Sequence, residues 1–214
     1  MKQPKVIFLD AVGTLFAVKG SVGKAYAEIA RQFGVTVSDE AINTAFFKSF
    51  AATPPPIFPG VKIEDIPNCE FEWWQLVALE TFQQVGAVNQ FADFSKFFEQ
   101  LYSHFATAKP WFVYDDVIPA LKRWQKRKIE LGIISNFDSR LYLVLESLDL
   151  IDFFTSITIS TEVSAAKPNQ QIFNAGLEKH NCLAADAWHI GDSFQEDYQG
   201  ASAAGLQAIL IKRN

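Results

Sequence analysis

The 214-residue chain is poor in cysteine and methionine, with two and one of these residues respectively. Cys69 and Cys182 are too few and too far apart for a disulfide framework, and they lack the spacing of a metal site. The formal net charge is -5 and no basic stripe runs along the chain, so we expect no nucleic-acid partner. These scarcities exclude a small disulfide-stabilised domain and predict two reduced thiols.

Long apolar runs are also missing from the sequence. No stretch approaches the roughly 20 apolar residues that a membrane-spanning helix needs. The apolar run near the N-terminus is interrupted by Asp10 and is not followed by a small-residue cleavage site, so it does not read as a secretory signal. We therefore expect no membrane partner and a cytoplasmic location, while the oligomeric state stays unknown.

Hydrophobic residues, by contrast, are abundant enough for a substantial core. They make up 49% of the chain, and charged residues make up 20%, as in ordinary soluble globular proteins. Aromatic residues reach 14%, and 20 residues are phenylalanine. This composition predicts an aromatic-rich interior or an apolar cleft between domains.

Apolar strand patterns alternate with helical patterns over most of the chain. Residues 5–9 form a continuous apolar run that ends at Asp10, which is typical of a strand buried on both faces. Further strand patterns lie at residues 129–134, 156–159, 188–190 and 206–211, with helical patterns between them. Such alternation implies right-handed crossovers. The predicted fold class is therefore α/β, with a Rossmann-like parallel sheet.

The first strand is separated from the others by a long helical block. Residues 17–108 contain four helical patterns and no convincing strand, with a proline cluster at residues 53–60 that cannot be helical. Because this block interrupts the strand–helix alternation, we interpret it as an insertion. The predicted organisation is one core of residues 1–16 and 109–214, with an all-helical domain of residues 17–108 inserted into it.

Polar residues follow four of the predicted strands. In chain order they are Asp10, Ser135 with Asn136, Lys167, and Asp192 with Asp197. Ligands of open parallel sheets bind at the carboxyl ends of the strands, so we expect these side chains to converge. Each of them also has an ordinary structural interpretation as a helix cap, a turn residue or a solvated side chain. Their occurrence at four separate strand ends favours a functional site.

This set of residues, in this order, resembles the four motifs of the haloacid dehalogenase (HAD) superfamily. The helical insertion after the first motif matches the position of that family's cap domain. The resemblance implies that Asp10 is a nucleophile that forms a covalent intermediate, with Lys167 as its catalytic partner. It also implies a Mg2+ cofactor held by Asp10, Asp192, Asp197 and the main-chain carbonyl of Val12.

The same resemblance implies a phosphate-binding set around the nucleophile. Ser135 and the amide of Asn136 would hold phosphate oxygens together with the amides of the Asp10 loop, which contains Gly13 and Thr14. Gly13 permits the tight turn that brings these amides to the ligand. Thr14 is not expected on the metal.

Val12 departs from the pattern of the family's phosphatases. They carry a second aspartate at this position, which protonates the leaving group, and general acid–base catalysis contributes about 10²–10⁴-fold. The chain therefore resembles either a weak phosphatase for good leaving groups or a 2-haloacid dehalogenase, in which a halide leaves without a proton. A third resemblance is to phosphonoacetaldehyde hydrolase, which needs a cap lysine such as Lys24 or Lys48. A non-catalytic protein that binds a phosphorylated metabolite or a partner is the fourth alternative.

The acidic pair Asp192 and Asp197 resembles the phosphatase form of the last motif. We therefore favour a hydrolase that acts as a Mg2+-dependent phosphatase on a small phosphorylated molecule, through an aspartyl-phosphate at Asp10. Residues 135–140 and 22–34 also resemble a poorly characterised subgroup of HAD-like hydrolase-domain proteins. We interpret His189, just before Gly191, as a structural histidine.

Overall fold

The computed structural model describes residues 3–213 of the chain. Their contacts divide it into two compact units. The first unit contains the chain up to Ala17, the segment Ile57–Ile63 and the chain from Val113 onward. The second unit contains Val18–Pro56 and Glu64–Phe112. The assignment of these parts as a catalytic core and a cap stays a prediction.

Strands and helices are distributed unevenly between the two units. The strands of the described chain are β1 (Val6–Leu9), β2 (Phe16–Val18), β3 (Trp111–Val113), β4 (Glu130–Ser135), β5 (Ser156–Ile159), β6 (Ala187–Gly191) and β7 (Gln207–Leu210). The α-helices are α1 (Val22–Gln32), α2 (Asp39–Ala52), α3 (Ile66–Gln84), α4 (Phe94–His104), α5 (Val117–Lys126), α6 (Arg140–Ser147), α7 (Ser160–Val163), α8 (Gln170–Lys179) and α9 (Gly200–Ala203).

A five-stranded parallel sheet forms the centre of the first unit. Its strand order is β5-β4-β1-β6-β7, so β1 lies between β4 and β6. Val6, Ile7 and Phe8 are fully buried, because a central strand of such a sheet is covered on both faces. This explains the unbroken apolar run in the sequence and confirms the predicted α/β fold class.

The predicted absence of strands between residue 16 and residue 108 is wrong at its first residues. Strand β2 begins at Phe16 and pairs with β3 in a separate two-stranded sheet. Each strand has only three residues, too few to show the two-residue alternation by which a strand is recognised.

The second unit is helical and has an aromatic interior, as its phenylalanine content suggested. Phe82 of α3 is fully buried, and its ring lies 5.0 Å from that of Phe97 and 5.1 Å from that of Phe91. Trp73 and Trp74 are both half-buried, and both pack against Phe50. The distances between the ring centres are 5.7 Å for Trp73 and 5.8 Å for Trp74. Neighbouring positions on a helix can thus share one partner when that partner is large.

The segment after β6 is more irregular than the single helix predicted over residues 196–204. Residues Phe194–Gln199 form a π-helical segment, and the α-helical turn α9 follows. The carbonyl of Ser193 accepts hydrogen bonds from the N–H groups of both Asp197 and Tyr198, which widens the turn. Such single π-helical turns are frequent at functional sites.

Candidate functional site

Asp10 lies at the carboxyl end of β1, and its side chain is almost fully buried. Its Oδ1 atom accepts a hydrogen bond from the Ser135 hydroxyl at 3.0 Å and one from Lys167 Nζ at 2.6 Å. The N–H of Asp10 donates to the carbonyl of Ile190 on β6 at 2.9 Å. Since β1 lies between β4 and β6, the strand order itself brings Ser135 of β4 to Asp10.

Lys167 is a buried cation between two carboxylates. Its Nζ atom lies 2.6 Å from Oδ1 of Asp10 and 2.6 Å from Oδ1 of Asp197. Burial works against its charge, but the two carboxylates outweigh burial and raise the pKa of Lys167 above its ordinary value. The lysine therefore carries a fixed positive charge beside Asp10.

The Asn136 side chain holds the backbone of Lys167. Its Oδ1 atom accepts a hydrogen bond from the Lys167 N–H at 2.7 Å, and its amide nitrogen donates to the Lys167 carbonyl at 3.0 Å. These two bonds fix the loop from which the Lys167 side chain projects. The predicted contact of the Asn136 backbone amide with phosphate stays a prediction.

Asp192 completes a cluster of three carboxylates with Asp10 and Asp197. One carboxylate oxygen of each lies within 4.8 Å of the others. Partial burial, followed by the charges of Asp10 and Asp197, raises the pKa of Asp192. Gathered carboxylate oxygens are the ligands that Mg2+ prefers, so the residues present fit this cation.

Gly13 and Thr14 connect residues 10–16 to Asp192, and we call this segment the nucleophile loop after the predicted role of Asp10. The Thr14 hydroxyl donates to Oδ1 of Asp192 at 3.1 Å. Gly13 has φ of +87°, and a Cβ atom at this position would lie 2.5 Å from Oδ2 of Asp192. Glycine is therefore required here both by the backbone conformation and by the approach of the carboxylate. A contact of either residue with phosphate stays a prediction.

Asp197 is buried and accepts hydrogen bonds at both of its oxygens. Its Oδ1 atom accepts hydrogen bonds from Lys167 Nζ and from His189 Nε2, the second at 2.8 Å. Its Oδ2 atom accepts a hydrogen bond from the Ser193 N–H at 3.0 Å. Burial opposes ionisation, but the hydrogen bond to His189 and the charge of Lys167 lower the pKa of Asp197. Asp197 thus anchors Lys167 as well as adding negative charge to the cluster.

His189 contacts the candidate site, although its position in the sequence suggested a structural histidine. Burial lowers the pKa of His189, and its Nε2 atom donates a hydrogen bond to the Asp197 carboxylate. Its Nδ1 atom is buried and has no hydrogen-bond partner. The signal available in the sequence was a histidine two residues before Gly191 on the strand that delivers Asp192.

Val12 lies in the nucleophile loop, and the residue is 37% exposed. The loop around it is closed by the Gly13 N–H, which donates to the carbonyl of Phe16 at 2.8 Å, and by the Leu15 N–H, which donates to that of Ala11 at 2.8 Å. The Val12 side chain offers no proton donor or acceptor. The predicted use of its carbonyl as a metal ligand stays a prediction.

A buried ion pair follows Ser135 and Asn136 in the chain. Asp138 accepts hydrogen bonds from Arg140 Nε at 2.8 Å and from Arg140 Nη2 at 2.6 Å. Asp138 also accepts a bond from the backbone N–H of Arg140 at 3.0 Å, at the beginning of α6. The pair therefore orders the turn between the end of β4 and α6.

Residues 4–205 of the chain match the family of haloacid dehalogenase-like hydrolases. The Mus musculus protein "Haloacid dehalogenase-like hydrolase domain-containing protein 3" is 32% identical over 209 residues, which are 98% of this chain and 82% of that protein. Over the described residues, no helix combines the length and apolar character needed to cross a membrane.

Two solved structures have the same fold as this chain. A HAD phosphatase from Thermococcus onnurineus matches with a TM-score of 0.64 and 22% identity, over 98% of this chain and 87% of that one. A dehalogenase matches with a TM-score of 0.69 and 18% identity, over 100% of this chain and 87% of that one. The fold therefore does not distinguish the two activities. The family match and the match to the Mus musculus protein each cover almost the whole sequence. The chain therefore belongs to the haloacid dehalogenase-like hydrolases.

Proposed function

We propose that this hydrolase is a Mg2+-dependent phosphatase that acts on a small phosphorylated molecule through an aspartyl-phosphate at Asp10. The observation that carries the proposal is that Asp10 contacts the buried cation of Lys167 and also belongs to the cluster of carboxylates with Asp192 and Asp197. The positive charge of Lys167 therefore lies directly against the carboxylate that would attack phosphorus.

Asp10 would attack with its second carboxylate oxygen. Lys167 and Ser135 both donate to Oδ1, and none of the described residues donates a hydrogen bond to Oδ2. Attack by Oδ2 on phosphorus releases the leaving group and forms the aspartyl-phosphate, which water then hydrolyses back to Asp10 and phosphate. The Lys167 charge and the Ser135 hydroxyl would stabilise the negative oxygens of the transferred group.

The acidic cluster would hold the metal ion. Asp10, Asp192, Asp197 and the Val12 carbonyl would be its ligands, and Asp197 also anchors Lys167. When bound, Mg2+ neutralises negative charge on a transferred phosphoryl group. Three carboxylates against one lysine leave a net negative site, which a divalent cation would balance.

Val12 restricts the leaving groups that this site would accept. Because its side chain cannot donate a proton, an alkoxide would have to leave unprotonated from this position. Acyl phosphates and aryl phosphates have leaving groups of low pKa and do not need that proton. We therefore propose that the substrates are of this activated kind.

A 2-haloacid dehalogenase is the second candidate, and Val12 is the observation that favours it. Halide departure requires no proton, so an apolar residue at this position is no disadvantage. Attack on carbon, however, gives no use to the repulsive acidic pair Asp192 and Asp197. The cluster therefore favours phosphorus as the electrophile.

The test is hydrolysis of para-nitrophenyl phosphate and acetyl phosphate, with Mg2+ and with EDTA. We expect turnover with Mg2+ that disappears in EDTA and in Asp10→Asn, while the exposed-site control Asp115→Asn keeps it. Chloride release from 2-chloropropionate without metal would establish the dehalogenase instead. If neither chemistry occurs in the folded wild type, the proposal is wrong and the non-catalytic binding protein is favoured.

A further inference from the structure

Arg213 lies in the tail that follows β7 and reaches the nucleophile loop. The tail is placed by the N–H of Ile211, which donates to the carbonyl of Gly191 at 2.9 Å. From there the Nη2 atom of Arg213 donates to the carbonyl of Thr14 at 2.6 Å. The tail thus joins the strand that delivers Asp192 to the loop that begins with Asp10.

The guanidinium of Arg213 is held on two further sides. Its Nη1 atom donates to Oδ1 of Asp116 at 2.6 Å, and its carbon atom lies 4.2 Å from the centre of the Tyr114 ring. A planar guanidinium is suited to this combination of forked hydrogen bonds and stacking, which an ammonium group cannot reproduce. The Nε atom is buried without a hydrogen-bond partner, so the group is partly withdrawn from water at some cost.

Thr14 is the point at which this contact meets the candidate site. Its hydroxyl donates to Asp192, while its carbonyl accepts from Arg213. The next carbonyl, that of Leu15, accepts from the N–H of Tyr114 at 3.2 Å. Arg213 therefore fixes the carbonyl of Thr14. Tyr114, on which the Arg213 guanidinium stacks, fixes the next carbonyl of the nucleophile loop.

We propose that Arg213 is a positioning residue, which clamps the nucleophile loop so that Asp10 and Asp192 keep their mutual placement. The role in catalysis rests on the proposed phosphatase function, whereas the clamp itself does not. Arg213 would act through Thr14 and without touching the substrate. Its effect should therefore appear in the rate of the chemical step and not in substrate binding.

The clamp can be tested without any turnover, by hydrogen–deuterium exchange of the peptide that covers residues 10–16. Arg213→Ala should accelerate exchange of these amides by about 10-fold, the factor expected when a hydrogen bond from a charged donor is lost. Arg213→Lys should give an intermediate rate because it keeps the charge but loses the fork and the stacking. Lys212→Ala, an exposed neighbour in the same tail, is the matched control and should exchange like the wild type.

Kinetics with para-nitrophenyl phosphate and Mg2+ test the catalytic consequence. Arg213→Ala should lower kcat by about 10-fold with KM unchanged, and Arg213→Lys should recover part of the loss. Thermal unfolding of each variant shows that the measured chains are folded.

Unchanged exchange of residues 10–16 in both Arg213 variants would overturn the clamp. Faster exchange with an unchanged kcat would overturn its role in catalysis. If the wild type hydrolyses no phosphate ester or anhydride, the proposed function fails, and the exchange data alone decide whether the clamp exists.

Discussion

Lys167 Nζ lies 2.6 Å from an oxygen of Asp10, although 157 positions separate the two residues in the chain. The same nitrogen lies 2.6 Å from Asp197, so one buried cation joins the first and the last acidic motif. This contact makes the site a single network, in which removal of one member leaves its partners buried and uncompensated.

Lys167→Met should therefore destabilise the protein as well as inactivate it. We expect a loss of about 3–5 kcal/mol in the free energy of unfolding, because Asp10 and Asp197 lose their buried partner. Turnover should fall by at least about 100-fold with loss of the fixed charge. Urea unfolding and initial rates measure the two effects, with the exposed-site variant Lys126→Met as control. A variant as stable and as active as the wild type would contradict the network.

Val12→Asp should extend the activity to poor leaving groups. An acid at this position would protonate a departing alkoxide, so kcat/KM for alkyl phosphates should rise by about 10–100-fold while that for acetyl phosphate changes little. The control Val12→Asn introduces a side chain of the same shape as aspartate that supplies no acid. It should give no gain in kcat/KM for alkyl phosphates. Rates over a series of alkyl and aryl phosphates provide the measurement. An equal response of both variants would mean that the missing acid does not limit the reaction.

Asp192→Asn should weaken Mg2+ binding. The carboxylate is one of three that gather within 4.8 Å, and its charge is removed without a change in shape. We expect the dissociation constant for Mg2+ to rise by at least about 10-fold. Calorimetric titration of the wild type, Asp192→Asn and the exposed-site control Asp152→Asn gives the comparison directly. Equal affinities would remove Asp192 from the metal site.

His180→Ala should reduce stability without reducing activity. His180 is buried and bridges Ser156 Oγ at 2.7 Å and Glu130 Oε2 at 2.5 Å, at the first residues of β5 and β4. The candidate site lies at the opposite, carboxyl ends of the strands. Loss of both bonds should cost about 2–3 kcal/mol.

Glu130→Gln and the exposed-site control Glu178→Gln separate the contribution of the carboxylate to that loss. Denaturant unfolding and steady-state rates on the same preparations test both parts of the prediction. A fall in kcat that exceeds the unfolded fraction would show that this cluster communicates with the candidate site.

Local sequence patterns were sufficient to predict much of the fold. The apolar run before Asp10 predicted a buried central strand, and the structure shows β1 between two parallel neighbours. Strand β5 has the predicted bounds, Ser156–Ile159, because a short apolar run there is bounded by polar residues and by a change to helical spacing. Strand β2 was missed because three residues carry no period.

The sequence by itself determined that Asp10 and Asp192 directly follow strands, because strand endings are a local property of the chain. Ser135 is instead the last residue of β4, and Lys167 follows helix α7 and not a strand. Only the tertiary structure decided which of these residues touch. Lys167 bridges Asp10 and Asp197, His189 contacts Asp197, and Arg213 holds Thr14. The Lys167–Asp10 and Arg213–Thr14 contacts depend on strand order and on loop paths, and their partners lie far apart in sequence, where no periodic pattern connects them. The physical reason is that local periodicity reports the burial of one element, whereas a contact requires two elements to be placed against each other.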